Sequence, residues 1–380
     1  MSSENKIKPI AIHLPQFHPV PENDEWWGKG FTEWTNVTKA KPFFKGHYQP
    51  HLPADLGFYD LRLEESRIAQ EVLAKEYGIY GFCYYHYWFN GKRLLNEPVD
   101  RKLLNPKEDL PFMLCWANEN WSRRWDGGNN EILKEQHYSQ EDAKNHAKEL
   151  LKYFLDERYI RIDNKPFFSI YKPHLIPNAK EYIQIIRDEV YKTEKVELYI
   201  AGFDTGALYD DKLHQLFEAI IEFQPQSNYL WNFMKLKLSQ YHNWKFRKLY
   251  NYLQYKIGNY HVIHSKRINA QFHLDYSEYV DYLLQNYKTP SEYKLYPCVN
   301  PMWDNTARRK KEAFLFLNEN PEKFEEWVSF HSKNFTPFSK NENFLFVNAW
   351  NEWAEGNHLE PCQKWGHQYL TALMNGLNKF

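Results

Sequence analysis

Short apolar runs alternate along the chain with segments of helical periodicity, and this alternation limits the fold more than any other sequence feature. Eight runs have the length and composition of buried strands: KPIAIHLP (8–15), GIYGFCYY (78–85), LPFMLCWA (110–117), KPFFSIYK (165–172), ELYIAGF (197–203), AIIEFQP (219–225), KLYPCVNP (294–301) and FLFVNAW (344–350). Intervening segments such as LRLEESRIAQEVLAKEYG and QEDAKNHAKELLKYFLDE have the spacing of amphipathic helices. Strands that alternate with helices form parallel sheets. Eight such units in 380 residues predict an α/β fold, a (β/α)8 TIM barrel, as a single domain (1–380) with long loop insertions.

The active site of such a barrel lies at the C-terminal ends of its strands. Five of the eight runs are followed there by polar and aromatic clusters: QFHPVPENDEWWGKGFTEW, HYWFNG, NENWSRRWDGG, MWDNTARR and NEWAEG. One such cluster could be loop packing. Five clusters at corresponding positions predict a common site at one end of the barrel.

The eighth run leads into two glutamates three residues apart, Glu352 and Glu355. On a helical turn such residues project to the same side, with Cβ atoms about 5–6 Å apart. Two carboxylates so close repel each other when both are ionised, so the pKa of one should rise and leave a protonated acid near neutral pH. Glycosidic bond cleavage needs a carboxylic acid beside a carboxylate. A nucleophile at the anomeric carbon and an acid at the leaving oxygen approach from different directions, which two carboxylates on one turn do not obviously provide. A base acting on the sugar's own hydroxyl therefore fits better than a direct nucleophile.

Other residues in these clusters are candidates for sugar binding, through aromatic stacking or hydrogen bonds to hydroxyls. The alternatives are an ion pair of Glu119 with Arg123 or Arg124 and simple loop anchoring by the tryptophans. Glu360 is expected to be a neighbour of the pair rather than a participant. The predicted substrate-binding set is Tyr85, His86, Trp88, Asn118, Glu119, Trp121, Asn351, Trp353, Trp26, Trp27, Glu33, Trp34, Trp303 and Asp304.

The composition of the chain limits the classes of partner that it could bind. A formal net charge of −1 argues against a globally charged binder of nucleic acid or membrane. Aromatic residues make up 18% of the chain, which suits either a sugar cleft or an aromatic core. The histidines of HLPQFH and GHYQPH lack a carboxylate or cysteine set at ligand spacing, so no metal or other cofactor is expected. The four cysteines are expected to be buried thiols.

One segment departs from the pattern. Residues 224–290 form a predicted aromatic and basic insertion between the sixth and seventh strands. Its part from 235 to 267 could contact a membrane surface, a lipid-linked glycan or an acidic polysaccharide, or could be a lid with a solvated basic face. No N-terminal targeting segment or bilayer-spanning run is visible, so the expected location is cytoplasmic.

The motif NEWAEGNHLEP resembles the NEW-x-EG motif of glycoside hydrolase family 99, the endo-acting α-mannosidases and mannanases, which are (β/α)8 barrels. More extensively, the first-loop segment from LPQFHPVPENDEWWGKG onward, FCYYHYWFNGKRLL, CWANENWSRRWDG and NAWNEWAEGNHLEP resemble WbsX-type proteins, a family-99-like group associated with O-antigen and capsule biosynthesis. The resemblance implies that Glu352 is the base on the substrate 2-hydroxyl. It implies that Glu355 protonates the leaving oxygen and then activates water, with a 1,2-anhydro sugar intermediate and net retention.

The leading hypothesis is therefore a retaining glycoside hydrolase or transglycosidase acting on a bacterial surface polysaccharide. The alternative is a glycosyltransferase of O-antigen or capsule biosynthesis, although the chain has no D-x-D motif and no Gly-rich phosphate loop after a strand. A third possibility is a non-catalytic sugar-binding barrel, which would not need paired glutamates.

Overall fold

Parallel strands form a nearly closed barrel in the computed structural model, which describes residues 7–123, 131–206, 211–240, 272–309 and 313–379. We number the barrel strands in chain order: β1 Lys8–His13, β2 Gly81–Phe89, β3 Phe112–Trp116, β4 Lys165–Ile170, β5 Tyr199–Asp204, β6 Ala219–Glu222, β7 in two segments, Leu295–Tyr296 and Cys298–Val299, and β8 Phe344–Val347. Each strand pairs in parallel with its neighbours in chain order, and β8 pairs with β1 from Lys8↔Phe344 to Ala11↔Val347. The predicted (β/α)8 fold is confirmed.

Strand β7 is divided at Pro297. Its first segment pairs with β6 and its second with β8. Proline has no N–H to donate, so a continuous ladder cannot pass through it. The Pro297 carbonyl still accepts a hydrogen bond from the Phe346 N–H at 2.9 Å, which continues the contact between β7 and β8.

Helices connect and cover the strands. They span Pro21–Trp27, Glu33–Lys39, Glu64–Glu76, Glu97–Leu104, Gln140–Phe154, Ala179–Glu194, Asp211–His214, Asn228–Gln240, Tyr276–Asn286, Pro321–Asn334 and Gln368–Asn378. Short 3-10 turns lie at Pro173–Leu175, Asn305–Ala307 and Trp353–Glu355. Small strands outside the barrel are Lys92–Leu94, Trp121–Ser122, Ile132–Lys134, Arg161–Ile162, Phe272–Asp275, Phe314–Leu317, Asn351–Glu352 and Asn357–His358. Within the described ranges, no helix is both long and apolar enough to cross a bilayer.

Aromatic rings fill part of the barrel interior. The Phe167 ring of β4 lies within 6.2 Å, between centroids, of Tyr199, Tyr296, Phe344 and Phe346, which come from β5, β7 and β8. Such packing buries large apolar areas and favours tilted or edge-on ring pairs. Part of the high aromatic content therefore belongs to the core. All four cysteines are buried free thiols.

The predicted insertion at 224–290 is described only in part. Its described elements are the helices Asn228–Gln240 and Tyr276–Asn286 and the strand Phe272–Asp275. Most of the basic residues that suggested a membrane or lipid-linked glycan lie in 241–271, outside the described residues. That contact stays a prediction.

Two asparagines extend the barrel ladder beyond the strand ends. The Asn351 side chain accepts a hydrogen bond from the Leu14 N–H at 2.7 Å and donates one to the Leu14 carbonyl at 3.0 Å. The Asn118 side chain makes the same two bonds to the backbone of Lys172, both at 2.8 Å. Each buried side-chain amide thus makes the pair of hydrogen bonds that the backbone of an adjacent strand would otherwise make. Both were predicted to bind substrate, but their side-chain amides are bonded to backbone.

We expect Asn351→Ala to lower the free energy of unfolding by about 2–4 kcal/mol, because it removes three side-chain hydrogen bonds, two to the Leu14 backbone and one to the Tyr59 hydroxyl, and leaves two backbone groups of Leu14 unsatisfied. Urea denaturation measures the change. The matched control is Asn375→Ala, whose exposed amide bonds to Glu325 at the surface and should cost less than about 0.5 kcal/mol. Equal losses in the two variants would contradict the role of Asn351.

Candidate active site

A pocket of about 200 Å³ opens at the C-terminal end of the barrel. Aromatic side chains supply much of its lining: Tyr85, Tyr87, Trp121, Tyr171 and Phe223. Three cations and three carboxylates supply its charges: Lys172, Arg308, Arg309, Glu119, Glu352 and Glu355. These residues follow or end several different barrel strands, which is where enzymes of this fold place their active sites.

Glu352 and Glu355 enter the pocket from the chain that follows β8. Glu352 ends the short strand Asn351–Glu352, and Glu355 ends the 3-10 turn Trp353–Glu355. Gly356 then closes the turn in the left-handed region, at φ 53°, which glycine adopts without strain. The Glu352 carboxylate is nearly buried and that of Glu355 is more exposed, with side-chain exposures of 7% and 23%.

The guanidinium of Arg308 joins these two carboxylates to a third. Its Nη1 donates to Glu355 Oε1 at 2.9 Å, and its Nη2 donates to Glu352 Oε2 at 3.0 Å. The same Nη2 donates to Glu33 Oε1 at 2.6 Å. Glu33 also accepts from the Ala354 N–H at 3.1 Å, so the first loop of the barrel holds the turn between the paired glutamates. Glu33 was predicted to wall the cleft, but its carboxylate lies buried against Arg308.

The electrostatics of this cluster favour retention of a proton. Burial raises the pKa of Glu352; Arg308 opposes that rise, and the charges of Glu355 and Glu33 add to it. Burial also raises the pKa of Glu355, against the opposing charges of Arg308 and Arg309. Burial disfavours the charge of Arg308, but the three carboxylates raise its pKa well above the ordinary value. Although Arg308 bonds all three carboxylates and Arg309 acts on Glu355, burial and the repulsion from neighbouring carboxylates still raise the pKa of both paired glutamates.

Asp304 supports the pair from the loop after β7. Its N–H donates to the Glu355 carbonyl at 2.7 Å, and its buried carboxylate accepts from His47 at 2.7 Å and Gln49 at 2.9 Å. Burial alone would raise the pKa of Asp304, but the hydrogen bond from His47 and the charges of His51 and His47 hold it below its ordinary value. A Cβ on Gly356 would lie 2.9 Å from the Asp304 Cβ, so glycine is also required for this close approach. Asp304 is thus a support of the Glu355 turn.

Glu119 lies on the opposite wall of the pocket. It follows β3, and its Oε1 pairs at 2.5 Å with Lys172 Nζ, which follows β4. In an eight-stranded barrel, β3 and β4 lie across from β7 and β8, so this ion pair faces the paired glutamates. Arg123, one of the partners considered for Glu119, pairs instead with Glu131.

His86 and Trp88 lie outside the pocket lining. Strand β2 continues to Phe89, and side chains alternate along it, so Tyr85 and Tyr87 line the pocket while His86 and Trp88 face the helix Gln140–Phe154. The His86 ring stacks on His146, with Nε2 atoms 3.1 Å apart. Trp88 donates to Asp142 at 2.8 Å. These contacts are structural, and we do not propose sugar binding for either residue.

Three predicted tryptophans are buried in packing contacts. Trp353 donates to Glu360 at 2.6 Å and stacks on His358, and Trp34 donates to the Tyr59 carbonyl at 2.9 Å. Trp303 is 2% exposed. Glu360 receives hydrogen bonds from side chains and is absent from the pocket lining, in keeping with its expected place as a neighbour.

Trp26 and Trp27 lie beside the pocket rather than in its lining. The Trp26 ring meets Trp121 edge-on at 5.7 Å, and the Arg123 guanidinium lies 5.4 Å from the centre of the Trp27 ring. Trp26 thus packs against Trp121, an aromatic residue that does line the pocket, and Trp27 packs against Arg123.

The sequence prediction missed several lining residues: Tyr87, Tyr171, Lys172, Arg308 and Arg309. Tyr87 could have been found from strand alternation with Tyr85. Arg308 and Arg309 stand in the MWDNTARR cluster, which was predicted to reach the site without roles for its arginines.

Comparison with known proteins places this barrel and its pocket in a family. The family described as glycosyltransferase WbsX matches residues 9–373, so the chain belongs to that family. The chain is 36% identical over 372 residues to the uncharacterized protein WxcX of Xanthomonas campestris pv. campestris strain B100, and the same holds for strain ATCC 33913. These matches cover 97% of this chain and 49% of each relative, so the chain spans about half of their length.

Solved structures share the fold. A family 99 endo-α-mannosidase from Bacteroides thetaiotaomicron superposes with a TM-score of 0.54 at 12% identity, covering 99% of this chain and 97% of the other. A structure described as a glycoside hydrolase-like protein has a TM-score of 0.55 at 12% identity, with coverages of 99% and 95%. At this identity the likeness establishes the fold alone.

The raised pKa of Glu352 predicts how the free energy of unfolding changes with pH. Between the unfolded carboxyl pKa and the higher folded one, the folded state binds more protons, so stability falls as pH rises through that window. Glu352→Gln removes the ionisation, so we expect it to be more stable than wild type above the window, by on the order of 1 kcal/mol, and equally stable near pH 4.

Denaturation midpoints measured from pH 4 to 9 give the comparison. Glu194→Gln, the same substitution at an exposed helix end, is the matched control measured over the same pH range. A Glu352→Gln protein that is less stable than wild type at pH 9 would contradict the raised pKa.

Proposed function

We propose that this protein is a retaining glycoside hydrolase or transglycosidase that acts on a bacterial surface polysaccharide, an O-antigen or a capsule. The observation that carries the proposal is the pair Glu352 and Glu355, which lines the pocket and shares the Arg308 guanidinium. Membership of the WbsX family supports a glycan as the substrate. The aromatic lining supports it further, because ring faces stack on the apolar faces of sugars.

In the proposed first step, Glu352 removes the proton from the sugar 2-hydroxyl, and the 2-oxygen attacks the anomeric carbon. The glycosidic bond breaks while Glu355 donates its proton to the leaving oxygen. This forms a 1,2-anhydro sugar. In the second step, Glu355 takes a proton from water or an acceptor hydroxyl, and the oxygen of that group attacks the anomeric carbon. The bond from the anomeric carbon to the 2-oxygen breaks, and Glu352 returns its proton to the 2-oxygen. Two inversions give net retention.

The geometry suits these roles better than a direct nucleophile. Both carboxylates approach from one side of the pocket because one guanidinium binds them. Burial raises the pKa of Glu352 to about 8, so the ionised form that the base role needs is populated near and above that pH; this form is a strong base, and Arg308 stabilises it. The raised pKa of Glu355 favours the protonated state that a general acid needs.

A second candidate is a glycosyltransferase of polysaccharide biosynthesis. The description of the family itself favours it. The same two carboxylates could then activate an acceptor hydroxyl instead of water. Consumption of a nucleotide sugar, with no release of sugar from surface oligosaccharides, would support this function over the first.

We expect Glu352→Gln and Glu355→Gln each to lower kcat about 10²–10⁴-fold on oligosaccharides from the producing bacterium's surface polysaccharide, with little change in binding. A 4-nitrophenyl glycoside of the same sugar distinguishes the base role of Glu352 from the acid role of Glu355. Its leaving group needs no protonation, so kcat/KM, which reports the first step, should recover in Glu355→Gln and should stay low in Glu352→Gln. The surface control Glu194→Gln should retain full activity, and full activity in either site variant would refute the assignment.

A substrate that lacks the 2-hydroxyl tests the intermediate. We expect the 2-deoxy analogue of a cleaved oligosaccharide to bind the pocket but to resist cleavage, since it lacks the attacking oxygen. Turnover of this analogue at a rate near that of the parent sugar would exclude participation of the 2-hydroxyl. It would then favour direct attack by a carboxylate.

A further inference from the structure

The three cations that line the pocket differ in their partners. Lys172 is paired with Glu119, and Arg308 is paired with Glu33, Glu352 and Glu355. Arg309 makes no side-chain hydrogen bond or ion pair with any residue in the described part of the chain. Guanidinium groups at the lining of a pocket are strong ligands for carboxylate and phosphate oxygens. Arg309 is therefore the cation of this lining best able to bind an incoming anion.

Neutral donors lie on the same wall as Arg309. Asn305 precedes it in the loop after β7, and Gln226 follows the neighbouring strand β6; both line the pocket. Asn305 uses Oδ1 to accept from the Phe314 N–H at 3.0 Å, and its Nδ2 has no partner among the described residues. The Gln226 amide likewise has no side-chain hydrogen bond to the described chain. A guanidinium and two amides on one wall suit an anion with several acceptor oxygens.

Arg309 also lies near the proposed proton donor. Its charge acts on the Glu355 carboxyl, although the two groups form no ion pair. A substrate anion bound by Arg309 would thus sit next to the group that meets the leaving oxygen. The aromatic residues and the Glu119–Lys172 pair line other parts of the pocket and remain available to the rest of the sugar.

We propose that the substrate is anionic, and that Arg309, with Asn305 and Gln226, binds its negatively charged group beside Glu355. The group is either the carboxylate of an acidic sugar or the phosphate of a sugar phosphate. This inference rests on the proposed function only in taking the pocket as the glycan site. It adds to the proposed function a negative charge on the substrate close to the reacting bond.

Binding of small anions tests the inference without any turnover. Titration calorimetry at low ionic strength would use glucuronate, inorganic phosphate and, as the neutral comparison, methyl glucoside. We expect wild type to bind at least one of the two anions, and Arg309→Gln to weaken that binding about tenfold or more. Arg309→Lys should restore part of the affinity, because it keeps the charge and loses the fork of donors.

Two further variants test where the anion binds. Lys192→Gln makes the same change in net charge at an exposed helix end, and should bind the anion as wild type does. Glu355→Gln removes a carboxyl on which the Arg309 charge acts, so it should strengthen anion binding at pH values where Glu355 is ionised and change it little where Glu355 is protonated. Preference for glucuronate would identify an acidic sugar, and preference for phosphate would identify a sugar phosphate.

The inference is overturned if wild type binds neither anion, or if Arg309→Gln and Lys192→Gln bind the anion equally well. These outcomes are independent of the catalytic test. Loss of the proposed hydrolase activity would leave anion binding intact, and absence of anion binding would leave the roles of Glu352 and Glu355 in place for a neutral glycan.

Discussion

The guanidinium of Arg308 fixes the positions of three carboxylates that come from distant parts of the chain. Glu33, which it binds, lies 275 residues away in sequence, while Glu352 and Glu355 follow the last barrel strand. Without that cation, burial of three carboxylates so close together would be strongly unfavourable. The arrangement ties the first loop, the loop after β7 and the turn after β8 into one unit. The pocket, the proton balance and the proposed chemistry all depend on it.

Much of the fold could be predicted from the sequence because the barrel strands are short apolar runs separated by helices. A strand buried on both faces leaves a continuous apolar signal, so its position is visible without any tertiary information. The position of the glutamate pair followed from the same signal. Once FLFV was assigned to β8, Glu352 and Glu355 had to lie at the C-terminal end of the barrel.

The remaining parts of the site depend on contacts that no local pattern contains. The prediction ended β2 at Tyr85, and the strand continues to Phe89, so alternation turns His86 and Trp88 away from the pocket. The amides of Asn118 and Asn351 bond to backbone, which only the closure of the barrel makes possible. The role of Arg308 required a contact between loops at opposite ends of the sequence.

The central claim is that the pair beside Arg308 retains a proton near neutral pH. Carbon-13 NMR of carboxyl-labelled glutamates, titrated in wild type, Glu352→Gln and Glu355→Gln, tests it most directly. The account predicts that the signal missing from Glu352→Gln titrates well above the ordinary pKa of glutamate in wild type, and that the signal missing from Glu355→Gln titrates above it. It would be contradicted if the signals removed by these substitutions titrate near pH 4.5 in wild type.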